Sequence, residues 1–497
     1  MSRETVVGID VGGSGVKAGI VTLTGDIVGV AQSRYKVRFA GAGIAEYEPA
    51  VMVREVIGSL RELAARCDAS RVAGICVDAM VSGMVPIGDD GQAVGPYTTT
   101  VDTRAAVWAR KLVAEYGPEV QTVTGSREAT LASKIRWVEE SYPGVYSRTR
   151  RFVTAGSMVT GSLAGLAPED LVIDRSCLWA TGLGNTRTGR WDSGLCDKAG
   201  IDVTTLPTIR NSWEVVGGLS RAVAELTGLQ SGTPVVAGCA DQAAGYAGVG
   251  LLSGERAALS MGSYIVVARR LQRPREDDFR QTYKLVSGAL PGLWYAQQGI
   301  AGGGLVLDWV RGLWGRARGN DGNGARPRLL VDGARSADPG CDGLVFVPAF
   351  AGSVGDGEGG MGGAWIGLKF SHGPSELYRA ALEGVAAQVV RCLEEVTAAQ
   401  GYTAVVAYGG GSRETVLNQI VADMSGRVVE SVGIAEAGIL GSAMVAALGV
   451  GIVSDREAIP VEPRLAGIRY VPNRNRAEVY RRVLERQHKA MDVERHT

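Results

Sequence analysis

Histidine is scarce in this 497-residue chain: there are three, His372, His488 and His496, the last two in a charged C-terminal stretch. A Ser-His-Asp triad or a histidine-rich metal site would have to be built on His372 alone, so neither chemistry is expected. The seven cysteines, at 67, 76, 177, 196, 239, 341 and 392, are odd in number, scattered, and form no CxxC. That pattern suggests neither a disulfide framework nor a zinc site, and fits reduced thiols in a cytoplasmic protein. Net charge is zero, 52 basic against 52 acidic residues. Nothing in that balance favours nucleic acid or an anionic membrane as partner. The longest apolar stretch, around residues 443–453, is too short to span a bilayer. No signal-peptide pattern precedes the strand-like run at residues 5–9. The P-loop pattern GxxxxGK[ST] is absent as well.

Glycine is what the chain has in excess: 71 residues against 17 prolines, roughly twice the usual glycine share. No G-X-Y period exists, which excludes collagen. A content of 45% hydrophobic and 21% charged residues excludes wholesale disorder. A single core rarely grows beyond about 250–300 residues, so two domains are expected.

The first thirty residues read as a β-meander, with strands over 5–10, 16–23 and 27–30. Helix-period apolar positions follow over 50–66 and 104–116, with a strand at 71–77 between them. A similar opening returns about 250 residues later, with strands over 256–260 and 264–269 around Met261-Gly262-Ser263. Helices are expected over 303–313, 375–400 and 415–425, and a strand over 404–408. The reading is two α/β domains, residues 1–245 and 246–497, each opening on a β-meander. Residues 316–328 read as a surface loop or disordered insertion, and 476–489 as a solvated helix.

Two matches to the dinucleotide-binding glycine pattern fail on context. Gly13-x-Gly15-x-x-Ala18 is followed by a strand, and Gly357-x-Gly359-x-x-Gly362 neither follows a strand nor opens a helix. Four other segments combine glycine with polar groups. In Gly8-Ile9-Asp10-Val11-Gly12-Gly13-Ser14-Gly15-Val16-Lys17, a strand-end carboxylate precedes a hairpin of bare backbone. Such a hairpin can approach phosphate oxygens, and Asp10 can hold Mg²⁺ directly or through water. In the segment 234–245, a strand and a Gly238 turn lead to Asp241 at or near a helix N-cap. There it is a general base kept ionised by the helix end, or simply a cap. Leu259-Ser260-Met261-Gly262-Ser263-Tyr264 is a second hairpin, and Tyr408-Gly409-Gly410-Gly411-Ser412-Arg413 ends a strand before a helix. A loop over 351–363 holds seven glycines with Asp356 and Glu358, and reads as a lid or a disordered loop. Much of the glycine excess therefore falls where backbone would meet phosphate or turn a hairpin.

Taken in order, these residues resemble the FGGY family of carbohydrate kinases over roughly residues 5–455. The opening at Gly8–Lys17 resembles the xylulokinase branch. The segment Gly232-x-Pro234-Val235-x-x-Gly238-x-x-Asp241-x-x-Ala244 is similar to the one that carries the family's catalytic aspartate. The stretch from Ser371-His372 through Glu383-Gly384-Val385 resembles the C-terminal signature, and Gly409-Gly410-Gly411-Ser412-Arg413 with Gln419 and Asp423 the nucleotide segment. Glu436-Ala437-Gly438-x-x-Gly441-Ser442-Ala443 resembles the small-residue helix that follows.

The resemblance implies two actin/hexokinase-like (ribonuclease H-like) α/β domains with an interdomain active-site cleft. It implies ATP and Mg²⁺, transfer of the γ-phosphoryl to a sugar or polyol hydroxyl, and, at family level, a homodimer. Asp241 would be the general base, and Asp10 would position Mg²⁺ and the phosphates. Substrate contacts would come from Asp78, Met80, Ser82, Asp102, Arg104 and Gln242. The nucleotide would meet Gly12, Gly13, Ser14, Lys17, Gly262, Ser263, Gly303, Gly304, Gly410, Gly411 and Arg413. The chain departs from the family pattern in three places. Gly13 stands where Thr is usual, so one hydroxyl near the phosphates is missing. Ala79-Met80-Val81-Ser82-Gly83 replaces Gly-Gln-Met-His-Gly, and Thr100-Val101-Asp102-Thr103-Arg104 replaces Trp-Asn-Asp-x-Arg. These changes bear on which sugar is bound. A non-catalytic sugar or nucleotide sensor on the same fold, and a nucleotide-switch ATPase, are the alternative readings.

Overall fold

The computed structural model describes residues 5–41, 43–262, 264–300, 302–315, 325–350, 362–398, 401–433, 436–455 and 467–494. The chain divides into two compact units, each an α/β fold. Met1–Leu252, Leu271–Ala296 and Glu436–Pro463 make the first; Ser253–Arg270, Gln297–Ala435 and Arg464–Thr497 make the second. No single cut near residue 245 separates them, because two later segments return to the first unit.

The first unit is built on the meander Thr5–Gly12, Gly15–Thr22 and Ile27–Arg34, all antiparallel neighbours. Val72–Ala79 joins parallel to Thr5–Gly12 on its free edge. Pro234–Val236 and Cys239–Ala240 then pair parallel with Val72–Ala79, and Val215–Gly218 closes the sheet antiparallel. Val72–Ala79 is buried along its whole length, so it reads as a continuous apolar run rather than an alternating one. Helix Pro49–Ala64 starts on proline, whose fixed φ suits the first helical position, and buries Met52, Val56, Leu60 and Leu63. These side chains join Val7, Ile9 and Val11 in one core.

Helix Ala437–Gly449 returns late in the chain to this unit and carries mostly small residues. Their size permits backbone-to-backbone packing. A Cβ on Gly441 would lie 1.8 Å from the Ala244 carbonyl oxygen, and one on Gly248 1.9 Å from that of Ala437. Against the first strand, a Cβ on Gly8 would lie 2.2 Å from the Ile439 carbonyl oxygen. Real side-chain carbons do not approach backbone oxygen so closely, so any other residue must push the elements apart.

The second unit repeats the topology. Arg256–Met261 and Ile265–Leu271 form an antiparallel hairpin. Ala404–Tyr408 pairs parallel with the hairpin's first strand, Val428–Ser431 parallel with that, and Ile468–Tyr470 antiparallel at the edge. Helices Gly303–Gly315, Pro374–Thr397 and Thr415–Ser425 form close to where the sequence pattern places them. Of the loop expected over 316–328, residues 316–324 lie outside the described residues, and Ala325 already opens helix Ala325–Ser336. The glycine-rich loop at 351–363 lies outside them too, apart from Gly362 and Gly363. Among the described residues no helix is long and apolar enough to cross a membrane, and all seven cysteines are free thiols.

The glycine contacts predict a large stability effect from a small change. Gly441→Ala should cost about 3 kcal/mol or more, at or beyond the upper end of ordinary overpacking. Thermal unfolding monitored by circular dichroism checks it; an unchanged melting curve would show that the helices separate without cost.

Candidate active site

Strand register brings the first pair of carboxylates together. Asp10 on Thr5–Gly12 sits directly opposite Asp78 on the parallel strand Val72–Ala79, and opposite Lys17 across the hairpin. The third carboxylate arrives through the next strand: Cys239 pairs with Asp78, and Asp241 opens the helix Asp241–Gly248 two residues later. Asp78 is fully buried. Its Oδ2 accepts the Ser442 hydroxyl from the returning helix, while its Oδ1 receives no donor from any described residue. Gly438, in the first turn of that helix, backs both acids. A Cβ there would stand 3.2 Å from Asp10 Oδ2 and 3.3 Å from Asp78 Oδ2. A helix N-terminus against two carboxylates is electrostatically favourable.

Burial nevertheless dominates the acidity of all three groups. It raises the Asp10 pKa, with Lys17 pulling the other way. It holds Asp78 well above the usual carboxylate range, and the Asp10 charge adds to the effect. For Asp241, burial and then the Asp10 charge raise the pKa to about 7. The backbone N–H of Gln242 donates to Asp241 Oδ1 at 2.8 Å and opposes the rise without cancelling it. The helix end was expected to keep Asp241 firmly ionised. Burial and then the Asp10 charge outweigh that effect.

Residues that the sequence does not flag hold these acids in place. Asp174 is buried and accepts from the Ser176 backbone and hydroxyl, from Cys177 Sγ at 3.1 Å and from Ser212 Oγ at 3.3 Å. Ser176 Oγ in turn accepts the backbone N–H of Ala240 at 2.8 Å, one residue before Asp241. Two tyrosines fix the glycine hairpin: the Tyr35 hydroxyl donates to Gly12 O at 2.5 Å, and the Tyr47 hydroxyl to Gly13 O. Their rings meet edge to face, with centroids 5.1 Å apart. With both carbonyls tied down, Gly13 and Ser14 stay exposed at the tip. Single buried Asp, Ser and Tyr residues give no periodic or spacing signal, so the sequence conceals them. Ser442 and Gly438 fall inside a quoted motif, although their contact with Asp10 and Asp78 does not show there.

Other expected site residues divide into groups. Met80 follows the hairpin closely, its N–H donating to Val11 O at 3.2 Å. Gln242 adjoins Asp241 and its Oε1 is buried without a partner among the described residues. Ser82 is buried one turn further along the same loop. Asp102 is occupied elsewhere: it accepts Ala45 N–H at 3.0 Å and both Nε and Nη2 of Arg104. Arg104 also pairs with Glu46 and lies 4.4 Å over the Trp137 ring. This network holds the Asp102 pKa down through the Arg104 hydrogen bonds, against burial. Lys17 reaches Glu436 at 3.5 Å.

In the second unit the glycines meet at Met261. Cβ atoms on Gly409 and Gly411 would each come 3.0 Å from its carbonyl oxygen, and Gly409 has φ +87°. Gly410 faces open space, and the short turn Gly410–Arg413 leaves Arg413 exposed. Ser412 locks the turn by donating to Gly409 O at 2.8 Å and accepting at its carbonyl from Asn418 and Ser431. Gly262 donates to Tyr264 O at 3.1 Å, and Ser263 lies outside the described residues. Gly303 packs against the Ile265 side chain, where a Cβ would come within 2.8 Å, and Gly304 follows it in the helix.

Comparison with known proteins gives the family. Residues 5–248 match the N-terminal domain of the FGGY family of carbohydrate kinases, and residues 257–450 its C-terminal domain. Xylulose kinase of Bacillus subtilis (strain 168) is 26% identical over 452 residues, covering 90% of this chain and 88% of its own. Gluconokinase of the same strain is 25% identical over 490 residues, covering 96% and 94%. The crystal structure of xylulose kinase from Rhodospirillum rubrum superposes with TM-score 0.83 at 26% identity, covering 98% of both chains. The chain thus belongs to the FGGY family of carbohydrate kinases, phosphotransferases acting on an alcohol group, with two α/β units of the actin/hexokinase-like fold.

Proposed function

We propose that the protein transfers the γ-phosphoryl group of ATP to a hydroxyl of a small ketose or polyol of the xylulose type, with Asp241 as general base. One observation carries the assignment of the base. Asp241 opens a helix at the end of the central sheet, and burial beside Asp10 raises its pKa to about 7. A base poised near the working pH combines a useful ionised fraction with enough basicity to take a proton. The substrate O–H proton passes to the Asp241 carboxylate, the freed oxygen bonds to the γ-phosphorus, and the bond from that phosphorus to the β,γ-bridging oxygen breaks to leave ADP. Ser176, through the Ala240 N–H, keeps the carboxylate from drifting. The tyrosine-anchored hairpin at Gly12–Ser14 presents backbone donors to the phosphates.

Asp10 and Asp78 are hard oxygen donors whose burial without a cation raises their pKa. A divalent ion suits them, and Asp78 Oδ1 has no donor to give up. Among the described residues no three ligating side chains form a ready-made metal cage. Mg²⁺ characteristically keeps waters and phosphate oxygens and takes only one or two carboxylates. When bound it would neutralise phosphate charge, with Asp10 holding it or one of its waters.

Three outcomes are expected. Asp241→Asn should lower kcat by about a hundred- to ten-thousand-fold, the usual worth of a general base, while ATP binding persists; steady-state and equilibrium-binding measurements check both, and a kcat within a few-fold of wild type would remove the assignment. The base works ionised and is protonated below its pKa, so kcat/KM for the sugar should fall about ten-fold per pH unit below about 7 and level off above it. A flat profile from pH 5 to 8 would contradict this. Gly13→Thr should fold normally, since a Cβ there meets Met80 Sδ and Tyr47 Oη at an ordinary 3.7 Å and φ is not left-handed. One added hydroxyl near the phosphates should lower the KM for ATP roughly two- to ten-fold, the worth of one hydrogen bond at about 0.5–1.5 kcal/mol. Loss of folding in that variant would show that the tip has no room.

A further inference from the structure

In the second unit the family resemblance gives the nucleotide two glycine elements, the helix that opens on Gly303-Gly304 and the turn Gly410–Arg413. We infer that an ion pair between Arg311 and Glu414 latches these two elements to each other, so that the pair positions the nucleotide. The inference rests on the kinase reading and adds to it two residues that act through the glycine elements.

The turn is already rigid. Ser412 donates to Gly409 O at 2.8 Å, and its own carbonyl accepts from Asn418 and Ser431. The helix Gly303–Gly315 is held differently. Val306, Leu307 and Val310 pack inward, while Leu305, Trp309 and Leu313 are 39–49% exposed. Apolar burial is non-directional and does not by itself fix where along its axis a helix stops. Arg311, two turns after Gly304, supplies a directed contact. Its Nη1 lies 3.6 Å from Glu414 Oε2, and Glu414 directly follows the turn and occupies the N-cap of the helix Thr415–Ser425. Nη2 of the same guanidinium donates to Asp308, one turn back on its own helix. One guanidinium therefore joins the glycine-opened helix to the residue next to the glycine turn.

Stability is a poor reason for this pair. Partly exposed ion pairs contribute little to folding. Glu414 nevertheless gives up most of its hydration, its side chain being 13% exposed, and burial raises its pKa against the pull of Arg311. Arg335 also acts on it but is engaged with Thr415 and Asp332, so Arg311 carries the tie. Tyr378 is fully buried on the helix Pro374–Thr397, and the charges of both partners act on its phenol. An acid desolvated for a weak pair is placed for geometry, and geometry is what nucleotide binding requires of these two elements.

The test measures equilibrium binding of Mg-ADP and Mg-ATP to the full-length protein by calorimetry, without sugar, together with thermal unfolding. Glu414→Gln removes the charge and keeps the shape; Arg311→Met removes the guanidinium and keeps an unbranched stem. Each should weaken nucleotide binding about five- to twenty-fold while the melting temperature falls by no more than about 4 °C, the scale of one such pair. The double variant should bind within about two-fold of the weaker single one, because either change opens the same latch. Single losses that multiply in the double variant show two separate contacts and overturn the inference. Binding within about two-fold of wild type in either single variant overturns it as well, whether or not the melting temperature moves. These outcomes leave the kinase reading intact. A wild type that binds neither nucleotide removes the kinase reading, and the inference falls with it. Either single variant is decisive alone, so one that fails to fold does not shield the proposal.

Discussion

Everything at the acidic end of the first unit depends on how closely the helix Ala437–Gly449 can approach. Its backbone touches that of Asp241–Gly248 through Gly441 and Gly248, and that of the first strand through Gly8. Because no side chain intervenes, the helix N-terminus reaches the sheet at Asp10 and Asp78 instead of riding above it. Gly438 then lies within contact distance of both carboxylates, and Ser442, one turn on, donates to Asp78. A larger residue at any of these glycines would withdraw the partial positive charge of the helix end and the Ser442 hydroxyl together. Packing and electrostatics are therefore one constraint here.

That constraint explains a placement which is costly for stability. Carboxylates buried without a paired cation destabilise a folded protein. Asp10, Asp78 and Asp241 all show the consequence as raised pKa values with burial as the main cause. Elsewhere in the same unit the sequence follows the ordinary rule: Asp102 is buried against Arg104 and keeps a low pKa. The contrast separates the two kinds of acid. Asp102 is satisfied by the protein and stiffens the loop it belongs to. The other three form no ion pair among the described residues, and Asp78 Oδ1 has no donor there, which is the condition expected of groups that await a ligand.

Much of this was legible in the sequence, and the missing part has a physical cause. The meander, the parallel strand at Val72–Ala79 and the two hairpins follow from apolar runs broken by glycine, which are local signals. Asp10 and Asp241 stood out because each lies near the end of a strand beside glycine. The return of residues 436–463 to the first unit was not readable, since a small-residue helix carries no mark of which sheet it will cover. Nor was the Asp174–Ser176–Ala240 chain, whose members are single residues scattered through irregular loops. Asp102 looked like a sugar contact because a carboxylate suits paired hydroxyls. Its consumption by Arg104 follows from side-chain geometry over a two-residue separation, which leaves no periodic trace.

The glycine excess also changes meaning once the contacts are known. The sequence reading placed much of it where backbone would meet phosphate. Gly8, Gly248 and Gly441 instead face backbone oxygens of the protein itself at distances no Cβ tolerates, and Gly409 and Gly411 face the Met261 carbonyl oxygen at a tight 3.0 Å. On those sides they are glycines of close packing. Gly13 and Gly410 differ: the first has only ordinary neighbours at 3.7 Å, and the second faces open space. Each sits at the tip of a turn whose carbonyls are tied from behind, by Tyr35 and Tyr47 in one unit and by Ser412 in the other. A turn with anchored carbonyls and an unobstructed outer face can offer its N–H groups without reorganising, and that preorganisation is what anion binding by backbone requires. The duplicated topology thus supplies two rigid tips, while the surrounding glycines bring the elements that brace them into contact.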